Sequence, residues 1–198
     1  MPQELPITGG IEGEGLTPSK ILRFLSLPFR SENLKTYMAV HRFEDIPIDK
    51  LVQDGIRGII LDADGTLCEH HAVKFSASVV NHVQEMRAKG LRIAIYTNAM
   101  KDRFKNFSGI EVVTEVPPKP DVRGFSTVMK KFLYIDDPAK VCMIGDNYIT
   151  DGGAISAGIN FIYVHPVAGG EHFFHAATRN LAYRCARFYF PDLFCNFP

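Results

Sequence analysis

The sequence predicts an α/β protein built on a doubly wound, Rossmann-like parallel sheet. Three observations carry this. Short unbroken apolar runs, such as Gly58-Ile59-Ile60-Leu61 and Val141-Cys142-Met143-Ile144, have the length and composition of strands buried on both faces. Segments with apolar residues at helical spacing separate them, and that alternation implies parallel strands joined by right-handed crossovers. Three of the runs end in polar residues: Asp62-Ala63-Asp64, Thr97-Asn98, and Gly145-Asp146 followed by Asp151. Open sheets of this kind bind ligands at the carboxyl ends of their strands.

The chain justifies each element in turn. Residues 1 to about 17 are rich in Gly, Pro and Glu without a period, which predicts a flexible arm. Thr17-Pro18 is an N-cap followed by proline at the first helical position. The apolar-basic segment 20–30 then has two readings, an interfacial helix resting on anionic membrane or a helix packed on the protein's own surface. Tyr37 to Phe43 is a short strand or an extended lead-in. Ile46 to Leu51 starts a small helix stopped near Gly55, and the strand leading to Asp62 follows. Ser76 caps a helix with Val79, Val80, Val83 and Met86 on one face, ending at Gly90. Arg92 to Tyr96 is the second buried strand. A short helix is expected over Lys101 to Phe107 and a brief strand over Ile110 to Val113. Asp121 starts a helix that buries Phe125, Val128, Met129 and Phe132. Asp136-Asp137-Pro138 is a turn, Thr150-Asp151 begins a helix ending at Gly158, and Phe161 to Val164 is the last strand. The tail from His172 predicts a helix to about Phe190; its arginines interleaved with aromatics read either as a membrane or nucleic-acid face or, as the favoured reading, as a helix docked on the core. The expected division is therefore an arm with a short helix (1–36), an α/β domain (37–170) and a helical aromatic tail (171–198).

Composition bounds the function. A chain of 198 residues suits one domain with attachments. Lys+Arg and Asp+Glu are 22 each, so the formal charge is zero and no nucleic-acid partner is expected. Cys68, Cys142, Cys185 and Cys195 form no C-x-x-C pair, which argues against a zinc site or disulfide scaffold and fits a reducing compartment. No run is long enough to span a bilayer, and the N-terminus lacks the pattern of a signal peptide. The expectation is a cytoplasmic protein or one peripheral on a membrane, on the matrix side of an organelle if eukaryotic. A homo-oligomer is left open.

The polar strand ends make chemical sense as a phosphoryl-transfer site. Two acids one residue apart repel, and are tolerable if a cation binds them or their protonation states differ. Asp62 can act as nucleophile and metal ligand, giving an aspartyl-phosphate that splits hydrolysis into two steps. Asp64 can protonate the leaving oxygen and then deprotonate the attacking water. Asp62 and Asp146 are hard oxygen ligands suited to Mg²⁺. Thr97, Lys119, Asn98 and backbone N–H groups after Asp62, starting at Ala63, can hold phosphate oxygens. Asn147 can orient the metal shell or merely stabilise a turn. His70 and His71 could contact substrate, with a solvated loop the favoured reading; His165 either lines the crevice or makes a structural contact; Cys68 reads as a buried, inert thiol.

Taken in order, Asp62-Ala63-Asp64-Gly65-Thr66, Thr97, Lys119, and Gly145-Asp146-Asn147-Tyr148-Ile149-Thr150-Asp151 resemble the four motifs of haloacid-dehalogenase-like phosphatases. The resemblance implies Asp62 as nucleophile and metal ligand, and Asp64 as acid/base that also gives its backbone carbonyl to the metal. It implies Asp146 as the ligand completing the protein's share of the Mg²⁺ shell, Asp151 as an orienter of metal-bound waters, and Lys119 as the cation neutralising charge shared by Asp62 and phosphate. Val40 to Ile46, Leu51 to Gly58, Lys119-Pro120 and Tyr163 to Val167 are similar to the phosphatidylglycerophosphate phosphatase branch. Gly65 departs from it, since the branch more often has Asn there. Neither Asp62–Arg92 nor Thr97–Lys119 is long enough to hold a cap domain. The site should be open unless the tail or another subunit covers it, which suits a phosphate displayed on a lipid or protein. Phosphatidylglycerophosphate is the favoured substrate, with contact to membrane through 20–30. A soluble sugar phosphate, nucleotide or phosphoprotein is the alternative substrate. A non-catalytic binding protein on the same fold is the alternative class.

Overall fold

The computed structural model describes residues 17–72, 74–98, 104, 107, 109–195 and 197. The arm and most of the helix expected over Lys101 to Phe107 lie outside the described residues. The sheet has six parallel strands: β1 (Met38–Val40), β2 (Gly58–Leu61), β3 (Arg92–Tyr96), β4 (Glu111–Val113), β5 (Val141–Gly145) and β6 (Asn160–Val164). Their spatial order is β1-β6-β5-β2-β3-β4. The order therefore reverses between β2 and β5. A crevice opens at such a reversal, outside the strands' carboxyl ends.

Side chains alternate across the sheet with the period of two that extended backbone imposes. Ile59, Leu61, Ile95, Cys142, Ile144, Ile162 and Val164 face one core. Ile60, Ala94, Tyr96, Val141, Met143, Phe161 and Tyr163 face the other. The first core is closed by α2 (Ile48–Gln53) and α3 (Ala77–Ala88), through Leu51, Val79, Val83 and Met86. Ser76 caps α3 by accepting the Val79 N–H at 3.2 Å. The second core is closed by α4 (Val122–Thr127) and its wider-wound continuation through Phe132, by α5 (Gly153–Ser156) and by α6 (Phe173–Tyr189). Small residues at Ala182 and Ala186 bring α6 close to the sheet.

The segment 20–30 forms α1 (Pro18–Ser26) and a short turn over Leu27–Phe29. Thr17 caps α1 with its hydroxyl, and Pro18 opens it. Its inner side is tied to the core. Leu27 is buried, and Arg23 donates to the carbonyls of Tyr148 (2.9 Å) and Asn33 (3.2 Å). One element differs from expectation: α5 starts at Gly153, not at Thr150-Asp151. The Asp151 side chain turns back to accept the Asn147 N–H at 3.1 Å. Residues 147–152 are thereby closed into a turn before the helix begins.

Candidate active site

Asp62 follows β2 and Asp146 follows β5, so the two carboxylates stand side by side at the strand reversal. Asp151 joins them from the turn after β5. One ligand oxygen of each of the three, all buried, lies within 4.8 Å of the others. Lys119 comes from the connection between β4 and α4 and is buried among them. Its Nζ donates to Asp62 Oδ1 and, at 2.6 Å, to Asp151 Oδ1. The Tyr96 ring stands 5.7 Å from that ammonium. Thr66 donates to Asp62 Oδ2 at 3.3 Å.

Burial of like charges sets the electrostatics. Desolvation, then the charges of Asp151 and Asp62, hold the Asp146 carboxyl well above its ordinary range. Desolvation also raises Asp151, against the opposing pull of Lys119. Lys119 is raised: burial alone would lower it, but Asp151 and Asp62 outweigh that. The cluster thus carries more negative charge than one ammonium satisfies. Asp146 Oδ2 is buried without a hydrogen-bond partner. A hard oxygen with no hydrogen bond, beside two further carboxylates, fits a divalent metal.

Two glycines make the packing possible. A Cβ on Gly145 would lie 2.4 Å from Asp151 Oδ2. A Cβ on Gly65 would lie 2.7 Å from Asp146 Oδ2. Gly65 also has φ +80°, a region open to Gly and, at some cost, to Asn.

A cavity of about 150 Å³ opens over the cluster. Asp62, Asp64, Thr97, Asn98, Lys119, Asp146 and Asn147 all line it, so most of the expected residues meet there. Ala63 is buried at the turn beneath, its carbonyl accepting the Leu67 N–H at 2.9 Å. The Asp64 side chain stands outside the carboxylate cluster and accepts the His71 N–H at 2.9 Å. Asn147 Oδ1 accepts the Ile149 N–H at 2.9 Å, which is a turn-stabilising bond. His70 and His71 line the cavity as well, closer to the chemistry than a solvated loop. His165 meets the Phe197 and Tyr183 rings edge-on.

The tail supplies residues that sequence reasoning missed. Glu171, His172 and His175 line the cavity at the start of α6. Arg179, one turn further on, is buried and clamped by Glu171, with Nε to Oε1 at 3.2 Å and Nη2 to Oε2 at 2.6 Å. Its Nη1 lies 3.4 Å from Asp146 Oδ2. Both of those atoms, and His70 Nε2, are buried without hydrogen-bond partners. An arginine in a helix ordinarily reads as solvated. The available signal was Glu171, the lone acid immediately ahead of an acid-free helix.

Comparison with known proteins agrees with this geometry. The profile of the family described as mitochondrial PGP phosphatase matches residues 22–154. The "Probable phosphatase YqeG" of Bacillus subtilis (strain 168) is 29% identical over 140 residues, covering 69% of this chain and 80% of that protein. No solved structure matches the chain. A parallel α/β sheet with acidic strand ends, and a family match over most of the chain, make this protein a phosphatase that belongs to the mitochondrial PGP phosphatase family.

Proposed function

We propose that the chain is a Mg²⁺-dependent phosphomonoesterase that acts through a covalent phosphate on Asp62, and that its substrate is phosphatidylglycerophosphate. The observation that carries the chemistry is the buried cluster of Asp62, Asp146 and Asp151 around Lys119 at the floor of an open cavity. An Asp62 oxygen attacks phosphorus in line with the leaving oxygen. The bond from phosphorus to that oxygen breaks, and Asp64 gives it a proton. Water then attacks the phosphorus of the Asp62 adduct, Asp64 takes the water's proton, and inorganic phosphate leaves with the carboxylate restored. Lys119 offsets charge on Asp62 throughout, while Thr97 and Asn98 hold phosphate oxygens from the β3 end of the cavity. Asp62, Asp146 and the backbone carbonyl of Asp64 would hold the divalent ion, which neutralises phosphate charge when bound. Asp151 fixes Lys119 and the turn that carries Asp146.

The phosphatase unit is residues 37–170, with 1–36 and 171–198 as its attachments. The lipid assignment is supported by the family's description and by the open site. Segment 20–30 would contact the membrane that presents the lipid. Among the described residues no helix is long and apolar enough to cross a membrane.

The deciding experiment is phosphate release from phosphatidylglycerophosphate in mixed micelles against a panel of soluble phosphomonoesters, with Mg²⁺ and with chelator. The expected result is a metal-dependent preference for the lipid. Asp62→Asn should lose about 10³-fold or more in turnover with an unchanged circular dichroism spectrum. Turnover retained in that variant would refute the nucleophile. Activity on soluble esters alone would discard the lipid and keep the chemistry.

A further inference from the structure

Among the described residues, twelve large apolar side chains are exposed, and nine of them lie on two segments: α1 with the turn after it, and α6. That concentration is not the random scatter of single apolar residues that any surface shows. On α1, Leu22, Leu25 and Phe29 recur at i, i+3 and i+7, opposite the inward side carrying Lys20, Phe24 and Leu27. On α6, Phe174, Leu181 and Phe188 recur every seven residues, opposite Arg179, Ala182 and Ala186. Each helix therefore carries an outward apolar face besides the side that meets the core.

The N-terminal ends of both helices reach one opening. Lys20 near the start of α1, and His172 and His175 at the start of α6, all line the catalytic cavity. At the far end the segments are joined by Tyr189 Oη donating to the Pro28 carbonyl at 2.6 Å. Phe29 and Phe188, 84% and 79% exposed, stand near that junction. Charge follows the same pattern. Neither residues 18–30 nor residues 172–190 contain an Asp or Glu. Arg23 and Arg179 turn inward, while Arg30, Arg184 and Arg187 are exposed. Apolar side chains interleaved with cations and free of acids match the surface of an anionic bilayer, where apolar groups enter the acyl boundary and cations meet headgroups.

We propose that α1 and α6 form a single docking face that seats the mouth of the cavity on an anionic phospholipid bilayer, an inference that rests on the lipid-phosphate reading above. A phosphate headgroup would then reach Asp62 while its acyl chains stay in the membrane, so the substrate need not leave the bilayer.

The chain contains no Trp, so a single introduced Trp reports its own surroundings. Phe29→Trp, Phe188→Trp and, as a control outside the two segments, Tyr134→Trp are each made in the full chain. They are mixed with vesicles of phosphatidylcholine alone or with phosphatidylglycerol. The expected result is an emission shift to shorter wavelength for the first two on the anionic vesicles and none for the control. Arg184→Gln with Arg187→Gln should weaken vesicle binding about tenfold or more and leave turnover of a soluble phosphomonoester unchanged. No shift at Phe29→Trp and Phe188→Trp, or an equal shift at Tyr134→Trp, overturns the proposal. So does a shift that appears without vesicles while light scattering shows a doubled mass, since a second copy of the chain would then cover the face. These vesicles carry no phosphomonoester, so the two readings fail separately. Shifts without hydrolysis of phosphatidylglycerophosphate keep the docking face and discard the substrate. Hydrolysis in micelles without shifts does the reverse.

Discussion

Arg179 places a fixed cation where the fold gathers four acids: Asp62, Asp146, Asp151 and Glu171. Its clamp by Glu171 holds the guanidinium so that Nη1 faces Asp146. Truncating one partner of such a buried pair strands the other charge, at a cost of about 3–5 kcal/mol. Arg179→Met should therefore lower the melting temperature sharply. Glu171→Gln combined with Arg179→Met should restore most of that stability, because neither charge is then left alone. Catalysis should not follow. With Asp146 released, kcat/KM should stay about 10- to 100-fold down, and the Mg²⁺ concentration for half activity should move. A double variant that recovers both stability and turnover would reduce Arg179 to a folding role.

At the level of elements, the turn after β5 is where local sequence and tertiary demand meet. Gly145 is required by the returning Asp151 side chain, whose oxygen would lie 2.4 Å from a Cβ there. Gly145→Ala should cost about 1–3 kcal/mol from overpacking, and should lower turnover by displacing Asp151 from Lys119. Gly55 tests the contrast. It has φ +86° but open space around it, so Gly55→Ala should cost about 1–2 kcal/mol from backbone strain alone and leave turnover intact. Equal activity losses in the two variants would refute the Asp151 argument. The same turn marks where sequence reading stops. Strands β2, β3, β5 and β6 were legible because their buried positions are apolar on both faces of the sheet. The residues ending three of them were legible because sheet topology fixes where such ends converge. The start of α5 was misjudged because Asp151 has the look of an N-terminal acid, whereas Lys119, thirty-two residues away, claims its side chain. The tail's contribution was invisible for a related reason. The contact of Arg179 with Asp146 joins distant parts of the chain, and no local period encodes it.

Across the whole molecule, the formal charge is zero, yet the cavity floor concentrates acids that burial penalises. On the proposed function, a protein built this way would give up stability in the metal-free state and regain it on binding a cation. At a metal concentration about 100 times its dissociation constant, mass action should add about 2.7 kcal/mol. For a chain of about 200 residues, that is a rise of roughly 5–10 °C in melting temperature. Asp146→Asn keeps the side chain's size and removes a carboxylate whose charged form is disfavoured by desolvation and by Asp151 and Asp62. In chelator the variant should melt at or above the wild-type temperature. In saturating Mg²⁺ the order should reverse, because the wild type shifts upward and the variant does not. Parallel thermal melts of the two proteins, with and without Mg²⁺, read all four states. An equal upward shift in both would mean that the ion binds elsewhere and that Asp146 is not among its ligands. A variant less stable than the wild type even in chelator would mean that the Asp146 charge is already satisfied by Arg179, and that the strain attributed to the cluster is absent.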